Sequence, residues 1–172
     1  MNLYEETLTE ELVYKGDYLD IFHTEVKLPN GKKGARDIIK HPGACAIIPF
    51  LDNENVILIE QFRKPLDKTI LEIPAGKLNK AENPQECALR ELQEETGYKA
   101  NEMIYLGSIA PQPGFCDEII HLFKASSLTK GEKHEDEDEF TKVKSFPLSK
   151  VKEMIREGKI IDGKTISIMA FL

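Results

Sequence analysis

The stretch from Asn83 to Gly97 carries its own start and stop chemistry, and it constrains the fold more than any other part of the chain. Asn83 offers a capping oxygen, Pro84 suits a first helical position that needs no backbone N–H, Glu86 completes capping-box spacing, and Gly97 supplies a left-handed stop. A helix over Pro84–Thr96 is predicted. Turned through about 100° per residue, it sends Ala88, Leu89 and Leu92 toward a core and leaves Glu91 and Glu95 at the margins of that face. Carboxylates four residues apart repel, and at a core boundary they also lose water. A divalent cation relieves both costs. The same run, Arg90-Glu91-Leu92-Gln93-Glu94-Glu95, also has the composition of an ordinary solvated helix surface. Arg90 stands one turn before Glu94 and is expected to pair with it.

The surroundings favour the metal reading. Ile73-Pro74-Ala75-Gly76 precedes the helix, and its glycine permits a close backbone approach at which a carbonyl can reach a cation. Around it, loose alternation over Tyr18–Lys27 and Ala35–Lys40, broken by Pro29-Asn30-Gly31, predicts an N-terminal hairpin. Ala44–Leu51 and Val56–Phe62 flank the polar Asp52–Asn55 and read as a second strand pair. Ile104–Ile109, Ile119–Lys124 and Phe140–Phe146 add strands, so the sheet is expected to be mixed or antiparallel. A second helix is predicted over about Lys150–Glu157, capped by Ser149, stopped by Gly158 and packed through Val151, Met154 and Ile155. The apolar tail Thr165–Leu172 is expected to dock on the core. The fold class is α/β (α+β), in a chain of one-domain size.

Charge narrows the function classes. A net charge of −7 over 172 residues speaks against a nucleic-acid surface, which needs a basic face. It leaves room for an anionic small substrate if divalent cations stand between phosphates and carboxylates. The apolar runs fall well short of the roughly 20 residues that span a bilayer, so no membrane partner is expected. The first residues lack the basic start and apolar core of a secretion signal, which makes the cytoplasm the expected location. Cys45, Cys87 and Cys116, with no CxxC spacing, read as reduced, small, buried side chains.

Gly76, then Glu82, then Arg90-Glu91-Leu92-Gln93-Glu94-Glu95-Thr96-Gly97-Tyr98 resembles the Nudix box, with Tyr98 the one departure, at a position where an aliphatic residue is usual. The resemblance implies an α/β/α sandwich around a mixed sheet, preceded by an N-terminal antiparallel β-hairpin region. It places that region over residues 1–40 and the hydrolase domain over 41–172, with the box at 76–98. It further implies Mg2+, or Mn2+, and hydrolysis of nucleoside diphosphates linked to another moiety. Carried over position by position, Glu91 and Glu95 are the principal metal ligands, with Glu94 close by and the Ala75 carbonyl contributing. Glu82 and Arg90 support the loop and helix, and Gly76 and Gly97 are the box's structural glycines.

The similarity extends beyond the box. Arg36–Ala44, Glu60–Pro65 and Leu71–Gly76 resemble the ADP-ribose pyrophosphatase branch, as does Pro113, about fifteen residues after the box; Gln112 stands before it where serine or threonine is common. That branch implies a base on an acidic loop. Residues 135–139 are the candidate, in a register that favours Glu137 as base and Glu139 as a further metal ligand, with Glu135 an alternative. Arg36, Asp37, His41, Arg63, Glu72, Gln112, Pro113, Gly114 and Glu118 are the implied substrate contacts. Arginine forks suit phosphate oxygens, though Arg36 and Arg63 also read as ordinary surface arginines. The resemblance implies a homodimer whose N-terminal hairpin helps bind adenine. The expected activity is conversion of ADP-ribose to AMP and ribose 5-phosphate. A sugar nucleotide or dinucleotide is the alternative substrate, and a non-catalytic ADP-ribose sensor the alternative class.

Overall fold

Three consecutive strands, β1 (Glu6–Lys15), β2 (Asp20–Lys27) and β3 (Lys33–Lys40), form an antiparallel meander. Gly31 adopts φ +83° and closes the expected turn, where Leu28 N donates to Lys32 O at 2.8 Å and Asn30 Oδ1 accepts from Lys32 N. The sequence predicted a hairpin here, and β1 is an addition to it. Every residue of β1 is exposed, so it has no buried face to impose the period-2 pattern by which strands are recognised. The computed structural model describes residues 2–17, 19–134 and 140–172. It divides into two compact units, Met1–Gly43 with Gln112–Glu118, and Ala44–Pro111 with Ile119–Leu172.

In the second unit β4 (Ala44–Pro49) is buried along its whole length, as is the stretch Val56–Ile59 of β5 (Asn55–Arg63). The polar turn between them forms, with Asp52 Oδ1 accepting from the backbone of Glu54 and Asn55. They are nevertheless not a hairpin. β5 lies between β6 (Lys68–Glu72) and β10 (Thr141–Pro147) in one antiparallel sheet. β4 lies between β7 (Ala75–Lys77) and β9 (Ile120–Lys130) in a second sheet, ordered β7-β4-β9-β8, with β8 (Tyr98–Ile109) at its edge. One bridge, Phe50 to Val56, links the two sheets. Continuous apolar runs mark strands covered on both faces but do not specify which neighbour each one takes. β4 and β9 are parallel, which makes that sheet mixed.

Successive β4 side chains serve two layers. Cys45 and Ile47 pack with Cys87, Ala88 and Leu92 of α1 (Pro84–Thr96). Ala44, Ala46 and Ile48 face the opposite way, onto Leu58, Ile73 and residues of α2 (Leu148–Arg156) and α3 (Gly163–Ile168). The result is the expected α/β/α layering, and complete burial of a side chain such as Leu92 contributes about 2 kcal/mol. Two details differ from expectation. Leu89 is 38% exposed, and Cys87 takes its place in the stripe. α2 begins ahead of Ser149, because Leu148 N finds a backbone acceptor in Glu54 O at 2.8 Å and needs no side-chain cap. Gly158 ends α2 region as expected, at φ +70°. Cys45 and Cys87 are buried with sulfurs 2.9 Å apart, while Cys116 is half-buried. Among the described residues no helix is long and apolar enough to cross a membrane.

Candidate functional site

α1 runs over the predicted residues, with Asn83 Oδ1 accepting from Gln85 N and Gly97 closing the end at φ +73°. Its buried face carries two acids, Glu91 and Glu95, at 7% and 1% exposure. Glu95 Oε2 accepts from Ala75 N at 2.8 Å, which ties the helix to β7. Glu91 lies so close to Gly76 that a Cβ there would collide with its carboxylate, so glycine is needed for the approach. Arg90 gathers the remaining acids. Its Nε and Nη2 donate to Glu82 at 2.9 and 3.0 Å, its Nη1 donates to Glu91 at 2.6 Å and Glu94 at 2.8 Å, and Nη2 also reaches Lys77 O. Arg90's hydrogen bonds, aided by Asn79 N–H, hold the Glu82 carboxyl down to about pKa 2. The Glu82 pairing, followed by Glu91 and Glu94, raises Arg90 despite its partial burial.

A second cluster stands on β5, β6 and α3. Arg63 grips Glu72 with two parallel bonds, Nε to Oε1 and Nη2 to Oε2, both 2.8 Å. Glu72, 1% exposed, also accepts from Lys164 Nζ, which reaches Asp162 Oδ1 at 3.0 Å. Burial would lower the Arg63 pKa, but the Glu72 bonds outweigh it and hold the guanidinium above its ordinary value, helped by the charges of Glu72, Glu95 and Asp162. In the first unit, Arg36 donates to Glu5 Oε1 at 2.5 Å and Asp37 pairs with His23 at 2.8 Å, so both are engaged within the meander. His41 Nδ1 lies 3.6 Å from Glu118 Oε1, and its backbone N–H donates to Asp117. Gln112 O accepts from Phe115 N and Cys116 N, folding Pro113 and Gly114 into a tight turn. Glu135, Glu137 and Glu139 lie outside the described residues.

A model of the NUDIX domain matches residues 40–166. The chain belongs to the Nudix family. Among its relatives it is 43% identical to the ADP-ribose pyrophosphatase of Bacillus subtilis, over 99% of this chain and 94% of that protein. It is 44% identical to a methanol dehydrogenase activator of Bacillus methanolicus, over 98% of this chain and 92% of the other. A solved structure described as an ADP compounds hydrolase superposes with a TM-score of 0.88, at 20% identity over 99% of this chain and 94% of its own, which bears on the fold.

Nudix hydrolases use a divalent cation, and the donors here suit a hard one. Carboxylate oxygens and a backbone carbonyl are the ligands such ions prefer, and the Gly76 cradle keeps the Glu91 carboxylate against backbone. Among the described residues no three His, Cys, Asp or Glu side chains converge at metal-binding distance. The residues that sequence reasoning missed are Asp162, Lys164 and Thr165. Asp162 caps α3 by accepting from Thr165 N at 3.0 Å, and Thr165 Oγ1 accepts from Ile73 N at 2.9 Å. The signal for the cap was available, an Asp followed three residues later by Thr, but nothing in it pointed to Glu72.

Proposed function

We propose that this Nudix protein hydrolyses the diphosphate of ADP-ribose, adding water across the P–O–P linkage to give AMP and ribose 5-phosphate. Full-length similarity to an ADP-ribose pyrophosphatase carries the reading, and the buried Glu91 and Glu95 pair supports it. Glu91 and Glu95, with Glu94, Glu139 and the Ala75 carbonyl, hold Mg2+, or Mn2+ in its place. The bound ion supplies neutralisation of diphosphate charge. Arg90 orients Glu91 and Glu94, and Glu82 fixes Arg90 against the loop. Glu137 takes the proton of the attacking water. Arg63 donates to phosphate oxygens, while Arg36, Asp37, His41, Glu72, Gln112, Pro113, Gly114 and Glu118 shape the rest of the substrate site. The active form is a cytoplasmic homodimer in which the region over residues 1–40 contributes to dimerisation and to adenine recognition.

Product analysis tests this directly. With Mg2+, ADP-ribose should yield AMP and ribose 5-phosphate in equal amounts, faster than sugar nucleotides or dinucleotides are cut. Preferential cleavage of one of those would replace the substrate, and binding of ADP-ribose without any product would favour the sensor reading. The Bacillus methanolicus relative supports a second reading, activation of a methanol dehydrogenase. Adding the protein to that enzyme and measuring its rate tests the second reading: stimulation supports activation, and an unchanged rate by a protein that cleaves ADP-ribose leaves hydrolysis alone.

A further inference from the structure

Lys164 has an 11% exposed side chain, and an ammonium this far from water needs partners close by. The pairing is specific. Its Nζ donates to Glu72 Oε2, the same oxygen that accepts from Arg63 Nη2, and it also donates to Asp162 Oδ1. Asp162 is itself fixed by Thr165, whose hydroxyl donates to Oδ2 at 2.6 Å and accepts from Ile73 N. Thus the first turn of α3 is pinned to the link between β6 and β7 that leads into Ala75 and the box. Glu72 serves two cations, and neither is neutralised by it alone. On Arg63, Nε and Nη2 are occupied, while Nη1 hydrogen-bonds to nothing among the described residues. The charge of Glu95 also acts on this guanidinium.

We infer that Lys164 is a positioning residue for diphosphate recognition: by sharing the Glu72 carboxylate it holds the Arg63 guanidinium in a fixed plane, with Nη1 and its positive charge turned to phosphate oxygens. The inference rests on the reading that a diphosphate binds at Arg63, and Lys164 acts without touching the substrate. Without Lys164, Glu72 has Arg63 as its one remaining cation, the pair closes on itself, and the site loses a positive charge. Lys164→Arg keeps the charge and the donors, whereas Lys164→Met keeps only the length.

The experiment measures steady-state kinetics on ADP-ribose for wild type, K164M, K164R, R63M and the double variant R63M/K164M, each checked for folding by circular dichroism. K164M should raise KM about tenfold with kcat within about threefold, and K164R should restore KM to within about threefold of wild type. The double variant should be no worse than R63M, because the Lys164 effect passes through Arg63. If K164M melts below the assay temperature, D162N, which keeps a capping oxygen but loosens Lys164, should show the same split at about threefold. Unchanged KM in a folded K164M, or penalties that multiply in the double variant, would overturn the inference. Calorimetry with inorganic pyrophosphate and Mg2+ separates it from the substrate reading, since no turnover is needed. Pyrophosphate binding that weakens about tenfold in K164M while wild type leaves ADP-ribose uncut would remove the substrate and keep the role of Lys164. Equal binding by wild type and K164M, or none by wild type, would remove that role.

Discussion

The Arg90 cluster and the Arg63 cluster are both arginine–carboxylate networks in the same unit, but their charge balance differs. Arg90 serves three acids, Glu82, Glu91 and Glu94, and Glu95 stands one turn further on, so the region is strongly negative. Arg63 and Lys164 face Glu72 and Asp162, two cations against two acids. An anionic excess around buried carboxylates suits a divalent cation, whereas a balanced network holds its shape unaided and keeps an arginine edge for an anion. On the proposed function, the two clusters divide the handling of a metal–diphosphate between them.

Removing the shared acid from the balanced cluster should have the largest effect. Glu72→Ala leaves Arg63 without its bidentate partner and Lys164 with Asp162 alone, and a broken buried pair of this kind costs about 3 kcal/mol. Chemical denaturation should report that loss. A change within about 0.5 kcal/mol would mean that the network is not holding β5, β6 and α3 together. In the negative cluster the corresponding substitution, Glu95→Gln, should act on turnover instead. Glutamine still accepts from Ala75 N, so the fold survives, but the site loses a charge that a cation needs, and kcat/KM should fall at least about 100-fold. Near-normal rates with Mg2+ present would sink the assignment of Glu95.

The clusters also differ in how far they could be read from the sequence. Every member of the Arg90 network lies between Gly76 and Glu95, on one loop and one helix, so helical geometry alone brings Arg90 to Glu94 and Glu91 near Glu95. The Glu72–Lys164 contact spans 92 positions, and local periodicity contains nothing that predicts it. The same limit explains β4 and β5. Their burial was visible in their composition, but the partner strands β9 and β10 lie far along the chain, and the short polar turn between β4 and β5 suggested a hairpin that the sheets do not make. β1 was invisible for the opposite reason, having no buried face at all.

A substitution at Gly76 tests whether close approach to backbone is what the negative cluster requires. The methyl of Gly76→Ala would occupy the space of the Glu91 carboxylate, which cannot retreat far while Arg90 holds it. Overpacking of this kind costs about 2 kcal/mol, and activity should drop with it. Full activity and an unchanged melting temperature would show that Glu91 has room to move, and the cradle would then not be a requirement.

The smallest expected effect is the most specific to one contact. Arg90 holds the Glu82 carboxyl at about pKa 2, against an ordinary 4.5. The folded chain therefore binds this proton less readily than the unfolded chain, so the contribution to stability is complete above the unfolded value and is lost as pH falls through the folded one. Glu82 sits at the edge of the site, so screening by solvent limits the pair to about 1 kcal/mol. Stability measured for wild type and Glu82→Gln should differ by that constant amount from pH 7 down to about pH 5, and the two should converge between about 4.5 and 2. A gap that stays constant to pH 2 would mean that Glu82 contributes through shape alone. Convergence at higher pH would mean that Arg90 gives its charge chiefly to Glu91 and Glu94, making the negative cluster more even than its hydrogen bonds suggest.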